Sequence, residues 1–234
     1  MAQTPLNREE LLASHFLLRH LRPEELARLA ASATLVRHRS QATIFKKGDP
    51  GGSMMAVVRG RVKICSYSVD GKELVLNIID HGGLFGEIAL LDGKPRSADA
   101  AAIEDTELLV LERNRLMPFL NANPEIATRL IAVLCQRLRQ TSEALEDALL
   151  RDAPSRLARG LLRLVATFGQ QEAGGMRLDI KLSQQQIGNL IGITRESINK
   201  SIVEWSRAGY LVVNNGFITI IDREALEFLS EAEL

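Results

Sequence analysis

The spacing of hydrophobic and polar residues along the chain predicts short helices first, then strands, then longer helices. Near the start, Asn7 can cap a helical turn, because Glu10 follows three positions later as in a capping box. Pro23 suits the first turn of a second helix, since its fixed φ angle is already helical. We expect both short helices to pack on the domain that follows them.

Strands are predicted between Thr43 and Glu112, where short apolar runs such as Val62-Lys63-Ile64 alternate with polar residues. Glycines that mark turns lie at positions 51, 60, 71, 82 and 93, at intervals of 9, 11, 11 and 11 residues. Intervals of roughly 8–12 residues are typical of antiparallel barrels and sandwiches. The predicted fold class is therefore α+β, with an N-terminal antiparallel β-roll similar to a jelly roll.

One long helix is predicted after Pro124, because no further glycine or proline occurs before Pro154. A narrow seam recurs along it at steps of 4, 3, 4 and 3 and consists of Leu134, Leu138, Thr141, Leu145 and Ala148. Such a seam can pack against the same helix of a second copy or against the helix's own domain. We favour the parallel homodimer.

Two short helices and a hairpin are predicted near the C-terminus. Ser183 and Gln186 form a capping-box pattern before a helix that Gly192 ends, and Thr194 can cap the next helix. After these helices, Asn215-Gly216 lies between two apolar runs and is a strong hairpin signal. This order of elements predicts a winged helix-turn-helix, although an isolated pair of short helices can also be a plain packing motif.

The second of these helices carries polar residues that suit base recognition, since its apolar residues fall on the opposite face. These polar residues are Arg195, Glu196, Asn199 and Lys200. An arginine can bond to guanine in the major groove, and a carboxylate can accept from the cytosine amino group. Residues near the two helix N-termini suit phosphate contacts, namely Ser183, Gln185, Thr194 and Ser197. Double-stranded DNA is therefore the predicted partner.

A glycine and an acid, followed by an arginine and a hydroxyl, interrupt the strand pattern between positions 84 and 98. Gly86 would let backbone N–H groups approach an anion, and Arg96 could neutralise a phosphate. This segment resembles the phosphate-binding segment of the cyclic AMP receptor protein/fumarate-nitrate regulator family, and the resemblance extends in order across nearly the whole chain. The ligand-binding residues that it implies here are Gly86, Glu87, Ile88, Ala89, Arg96 and Ser97.

The same resemblance includes the long helix and the helix-turn-helix. Thr141 and Ser142 match the residues that touch the purine from both subunits, so the implied effector is cyclic AMP or cyclic GMP. Arg195 and Glu196 match residues of the family's helix-turn-helix, which implies a palindromic operator with TGTGA-like half-sites. RNA polymerase is a further candidate partner. Lys200 stands where arginine is common, and base preference there is expected to relax because lysine lacks bidentate geometry.

Composition argues against several other classes of protein. The chain of 234 residues has 29 basic and 29 acidic residues, so its net charge does not by itself indicate a nucleic-acid binder. Short apolar runs and a polar N-terminus predict a cytoplasmic protein without a membrane partner. We expect Cys65 and Cys135 to be small buried residues, and the four histidines lack chelating spacing, so neither metal nor haem is expected.

We expect three regions: a β-roll domain over 1–123, a dimerisation helix over 124–151 and the DNA-binding domain over 152–234. Two other functions stay open. A jelly-roll enzyme with an accessory DNA-binding domain would need a histidine and carboxylate cluster for metal catalysis, which the spacing does not offer. A regulator whose roll binds no cyclic mononucleotide would have to bury Arg96 without an anion, which is costly.

Overall fold

The computed structural model describes residues 23–232, so the helix expected at Asn7 lies outside the described residues. Helix α1 (Pro23–Ser32) begins at the proline that suggested it. The chain divides into two compact units. Among the described residues, one unit contains 23–72 and 76–137, and the other contains 73–75 and 138–232.

The first unit is built mainly from two four-stranded sheets. Its strands are β1 (Thr34–His38), β2 (Thr43–Phe45), β3 (Ser53–Arg59), β4 (Val62–Tyr67), β5 (Glu73–Ile79, of which 73–75 are assigned to the other unit), β6 (Leu84–Phe85), β7 (Asp99–Ala102) and β8 (Thr106–Glu112). One sheet has the order β1-β8-β3-β6 and the other the order β2-β7-β4-β5. The pairs β1-β8, β3-β8 and β4-β7 are antiparallel. The predicted α+β class with an N-terminal β-roll is confirmed.

Strand β8 shows how the roll is filled. Its neighbours Leu108 and Leu109 are both buried, although side chains alternate between the faces of a strand. Leu108 packs with Val57 and Phe85 inside the roll. Leu109 packs on the other face, in a cluster to which α1, α2 (Glu87–Asp92) and α3 (Arg113–Ala122) contribute. Both faces of this sheet are therefore covered by apolar residues.

Helix α4 (Pro124–Leu150) is the long helix predicted from the sequence. Its first turns pack on the first unit through Ile126, Leu130 and Val133. Cys65 is buried, but Cys135 is exposed, so the expectation of two buried cysteines was wrong for Cys135. A helix turns about 100° per residue, so Cys135 points roughly away from the face that Val133 packs against the apolar cluster.

The second unit contains the C-terminal elements α5 (Ala153–Phe168), β9 (Gly169–Glu172), β10 (Gly175–Leu178), α6 (Gln184–Ile191), α7 (Arg195–Arg207), β11 (Leu211–Asn214), β12 (Phe217–Ile220) and α8 (Arg223–Ser230). Its sheet has the order β11-β12-β10-β9. Strands β9 and β10 were not predicted, because residues such as Gln170 and Gln171 lack an apolar alternation. Leu157 and Leu161 of α5 are fully buried.

Candidate functional site

Arg96 is the centre of the candidate ligand site in the first unit. Its side chain is 5% exposed although it carries a charge. Nη1 donates hydrogen bonds to the carbonyl oxygens of Ser53 at 2.7 Å and Gly86 at 2.9 Å, and Nη2 donates to Ser53 Oγ at 3.0 Å. The guanidinium lies 4.3 Å from the centroid of the Phe45 ring. These contacts hold the arginine in one orientation against the turn at Gly86.

Gly86 has two reasons to be a glycine. It precedes α2 with φ of 80° in the left-handed region, which is costly for residues with a Cβ. A Cβ at this position would also lie 2.6 Å from Arg96 Nη1 and 3.2 Å from the Ser53 carbonyl oxygen. The backbone at Gly86 and the guanidinium of Arg96 can therefore approach each other only without a side chain between them.

Glu87 begins α2 and is 1% exposed. Its Oε1 accepts a hydrogen bond from Arg137 Nη1, and Arg137 Nη2 donates to the Leu84 carbonyl oxygen. Arg137 therefore compensates the buried carboxylate from α4. Burial lowers the pKa of Arg96, while Asp49, Glu87 and Glu112 raise it through their charges.

The remaining ligand-site candidates have different surroundings. In the first unit Ala89 is buried, whereas Ile88 and Ser97 are exposed. Thr141 and Ser142 are exposed on α4 and belong to the second unit. The first unit thus brings Gly86, Glu87 and Arg96 together around one turn.

The two helices of the helix-turn-helix are capped as the sequence predicts. The backbone N–H of Gln186 donates to Ser183 Oγ at 3.2 Å, and the backbone N–H of Ser183 donates to Gln186 Oε1 at 2.8 Å. Gly192 ends α6 with φ of 76°, and Thr194 Oγ1 accepts from the Ser197 amide at 3.1 Å at the start of α7. The turn between α6 and α7 is therefore fixed by local bonds.

Helix α7 buries one face and exposes the other. Ile198, Ile202 and Trp205 are buried. The four residues predicted to face DNA are all exposed: Arg195, Glu196, Asn199 and Lys200. Gln184 Nε2 donates to Asn199 Oδ1 at 3.2 Å, and Gln185 Nε2 donates to Asn189 Oδ1 at 2.8 Å. The exposed face can offer both hydrogen-bond donors and acceptors to base edges.

The hairpin between β11 and β12 has the two-residue turn that Asn-Gly favours. Asn215 and Gly216 both have positive φ, 51° and 84°. A Cβ at Gly216 would lie 2.6 Å from Lys181 Cε, so the lysine stem passes against this turn. Lys181 therefore lies beside the tip of the hairpin. Its place in the sequence, shortly before α6, did not predict this contact.

Three residues of the candidate ligand site were missed from the sequence. Ser53 and Phe45 contact Arg96 from far along the chain, and no spacing rule connects them with it. Arg137 lies one helical turn before Thr141 on the long helix that the family resemblance includes, so that resemblance could have suggested it.

Among the described residues, no helix is long and apolar enough to cross a membrane. Within residues 23–232, no group of three or more histidine, cysteine, aspartate or glutamate residues could hold a metal ion.

Two known protein families match separate parts of this chain. A family model described as a cyclic nucleotide-binding domain matches residues 35–123, and one described as a Crp-like helix-turn-helix domain matches residues 155–229. The candidate ligand turn and the exposed face of α7 each lie inside one of these matches.

Two curated relatives and one solved structure each match most of the length of this chain. The CRP-like cAMP-activated global transcriptional regulator of Mycobacterium tuberculosis is 32% identical over 93% of this chain and 97% of its own length. The cyclic AMP receptor protein of Thermus thermophilus is 32% identical over 79% of this chain and 82% of its own. A solved CRP/FNR family regulator from Thermus thermophilus has a TM-score of 0.71 at 28% identity, covering 86% of this chain and 100% of that one.

Proposed function

This chain belongs to the cyclic AMP receptor protein/fumarate-nitrate regulator family of DNA-binding transcription regulators, and on that premise we propose that a cyclic mononucleotide controls its binding to DNA. The relatives are transcription regulators and not enzymes. Two relatives are named for cyclic AMP, which is the ligand we propose first, with cyclic GMP as the competitor. The observation that carries the proposal is the environment of Arg96.

Arg96 is buried without a carboxylate hydrogen-bonded to it. Its described hydrogen bonds all go to neutral oxygens, those of Ser53 and Gly86. Its Nε is buried and has no hydrogen-bond partner, and an unsatisfied buried donor costs about 1–3 kcal/mol. A cyclic phosphate would supply both the missing acceptor and the opposite charge.

Glu87 and the α4 residues would complete the ligand set. We propose that Glu87 accepts a hydrogen bond from the ribose hydroxyl, while Arg137 holds its carboxylate in place. Ser97 would bond to the phosphate, and Ile88 and Ala89 would contribute the backbone at the start of α2. Thr141 and Ser142 are proposed to contact the base, on the resemblance of their helix stretch to that of cyclic-AMP-responsive family members.

We propose that the protein is a homodimer joined through α4. Large apolar side chains are exposed along this helix: Ile131 at 58%, Leu138 at 68%, Leu145 at 60% and Leu149 at 65%. Their steps of 7, 7 and 4 residues keep them on one face, as in a coiled coil. Leu134 of the predicted seam is half-buried in its own chain, while Thr141 and Ala148 are exposed beside the apolar stripe. A second copy is the occupant that covers this stripe symmetrically.

We propose that α7 reads DNA from the major groove. Arg195, Glu196, Asn199 and Lys200 would contact base edges. Phosphate contacts would come from Ser183, Gln185, Thr194 and Ser197. In a homodimer the two copies of α7 would meet a palindrome with half-sites roughly 34 Å apart, and cyclic nucleotide would shift the population towards that arrangement.

The test is fluorescence anisotropy of a labelled duplex that carries TGTGA and TCACA half-sites. Purified protein is titrated at one fixed salt concentration without ligand, with cyclic AMP and with cyclic GMP. We expect one nucleotide to tighten binding to this duplex and not to a scrambled duplex. Equal affinity under all three conditions would instead indicate a regulator whose roll senses another effector or none.

A further inference from the structure

One carboxylate in the second unit is buried where its helix is otherwise exposed. From Leu138 to Leu150 every residue of α4 is exposed except Asp147, which is 4% exposed. Burying a carboxylate is expensive unless charged partners compensate it. The surroundings of Asp147 therefore need an explanation beyond the amphipathic pattern of α4.

Three arginines converge on Asp147. Arg159 Nε lies 2.8 Å from Asp147 Oδ1, and Arg163 Nη1 donates to Asp147 Oδ2 at 2.6 Å. Arg151, the first residue after α4, places its Nε 3.4 Å from Oδ1. Because Arg159 and Arg163 belong to α5, a single carboxylate ties the end of α4 to two turns of the next helix.

The connection between these helices is short and is itself fixed. Only Arg151 and Asp152 separate α4 from α5. Asp152 caps α5 by accepting from the Ser155 amide at 2.8 Å and from Ser155 Oγ at 2.7 Å. Arg151 Nη1 also donates to the Ser230 carbonyl oxygen at 2.9 Å, at the end of α8.

Helix α5 continues this series of bonds to the helix-turn-helix. Arg156 Nη2 donates to the carbonyl oxygens of Ile191 at 2.9 Å and Gly192 at 3.1 Å, which lie at the turn between α6 and α7. A Cβ at Gly160 would lie 2.4 Å from Ile191 Cδ1, so α5 and α6 are also in close contact. The orientation of α5 therefore sets the position of the recognition helix.

We infer that Asp147 is a positioning residue that couples α4 to the DNA-binding helices through its three arginines. This inference rests on the proposed function, because α4 is there the helix that contacts the nucleotide and the second copy. A movement of α4 is transmitted to α5 only while the Asp147 carboxylate holds Arg159 and Arg163. Without its negative charge, three neighbouring guanidinium groups repel one another, and the angle between α4 and α5 is no longer specified.

The test uses Asp147→Asn in the full chain, with Glu227→Gln as the matched control. Glu227 is likewise a carboxylate paired with arginine, but it has one partner, Arg223 at 2.7 Å, and its side chain is 49% exposed. For each protein we measure the cyclic AMP affinity, the operator affinity without nucleotide, and the operator affinity with saturating cyclic AMP. Arg163→Gln is the second variant, since this side chain is 41% exposed and its loss is easier to tolerate.

The ratio of operator affinities with and without cyclic AMP is expected to fall towards 1 in Asp147→Asn. Cyclic AMP affinity without DNA stays unchanged, and Glu227→Gln keeps the wild-type ratio, which is typically about 5–150-fold for coupled sites. The inference is overturned if Asp147→Asn and Arg163→Gln both keep the wild-type ratio and the wild-type ligand-free operator affinity, even when their urea midpoints fall. If Asp147→Asn does not fold, Arg163→Gln decides.

Failure of the proposed function gives a different result. If wild-type protein does not respond to cyclic AMP, the nucleotide proposal is wrong, and the ligand-free operator affinity then decides about Asp147. A changed ligand-free affinity in Asp147→Asn or Arg163→Gln, with Glu227→Gln like wild type, supports the positioning role. Unchanged ligand-free affinity in both variants overturns it.

Discussion

The carbonyl oxygen of Gly86 accepts a hydrogen bond from Arg96 Nη1 at 2.9 Å, and a side chain at position 86 would meet that same nitrogen. The turn that begins α2 and the arginine that faces it therefore depend on each other. This relationship explains why the glycine and the arginine occur together in the sequence, ten residues apart.

Gly86→Ala is expected to weaken cyclic nucleotide binding as well as stability. The left-handed backbone costs an alanine about 1–2 kcal/mol, and the new Cβ at 2.6 Å forces Arg96 to move. Urea unfolding measures the first effect, and titration with cyclic AMP measures the second. Gly71→Ala is the matched control, because Gly71 has φ of 78° and a Cβ added there would meet no other part of the fold within 4 Å. It should lose similar backbone stability and keep its nucleotide affinity; equal nucleotide affinity in both variants would contradict the role of the turn.

Arg96→Ala should remove the response to cyclic nucleotide and leave DNA binding at its ligand-free level. The substitution takes away the charge proposed to neutralise the phosphate. Arg37→Ala serves as the control, since Arg37 is also an arginine of the first unit, but its side chain is 64% exposed and paired with Glu107 at 2.9 Å. Calorimetric titration with cyclic AMP distinguishes them, and full affinity in Arg96→Ala would exclude the proposed phosphate site.

Lys200→Arg is expected to sharpen base preference at one position of each half-site. A bidentate arginine–guanine contact contributes about 1–3 kcal/mol of discrimination, which a lysine supplies only in part. The measurement compares operator variants that differ at single base pairs, at one salt concentration. Lys94→Arg, an exposed lysine of the first unit, controls for the general effect of the substitution. A uniform gain on all sequences would show that position 200 contacts phosphate and not a base edge.

Mild oxidation should join two copies of the chain through Cys135. This thiol is exposed on α4, between Ile131 and Leu138 of the exposed apolar stripe, whereas Cys65 is fully buried. A disulfide needs the two Cα atoms within about 4.4–6.8 Å of each other, so it forms only if the two helices meet at this level. Non-reducing electrophoresis detects the covalent dimer.

Two cysteine variants control this experiment. Cys65→Ser should still crosslink, and Cys135→Ser should not. If wild type stays monomeric on the gel and also sediments as a monomer, the homodimer proposal is wrong. Leu138→Asp should dissociate the dimer, while Val69→Asp, an equally apolar and fully exposed position in the first unit, should not.

Elements whose signals are local could be predicted from the order of residues alone. The capping box of Ser183 and Gln186, the cap at Thr194 and the hairpin at Asn215-Gly216 all depend on bonds within a few residues. The long helix after Pro124 and the buried face of α7 follow from periodicity in the same way. Because these interactions close over one or two turns of chain, residue order is sufficient to specify them.

Contacts between residues far apart in the chain could be identified only in the folded structure. Ser53 lies 43 residues from Arg96, and Glu87 lies 50 residues from Arg137, so no spacing rule links either pair. The exposure of Cys135 likewise depends on which face of α4 packs on the first unit, and β10 pairs with β12 from a distant part of the chain. In each case the deciding contact joins segments that only the folded chain brings together, where burial and hydrogen bonding compensate for the loss of water.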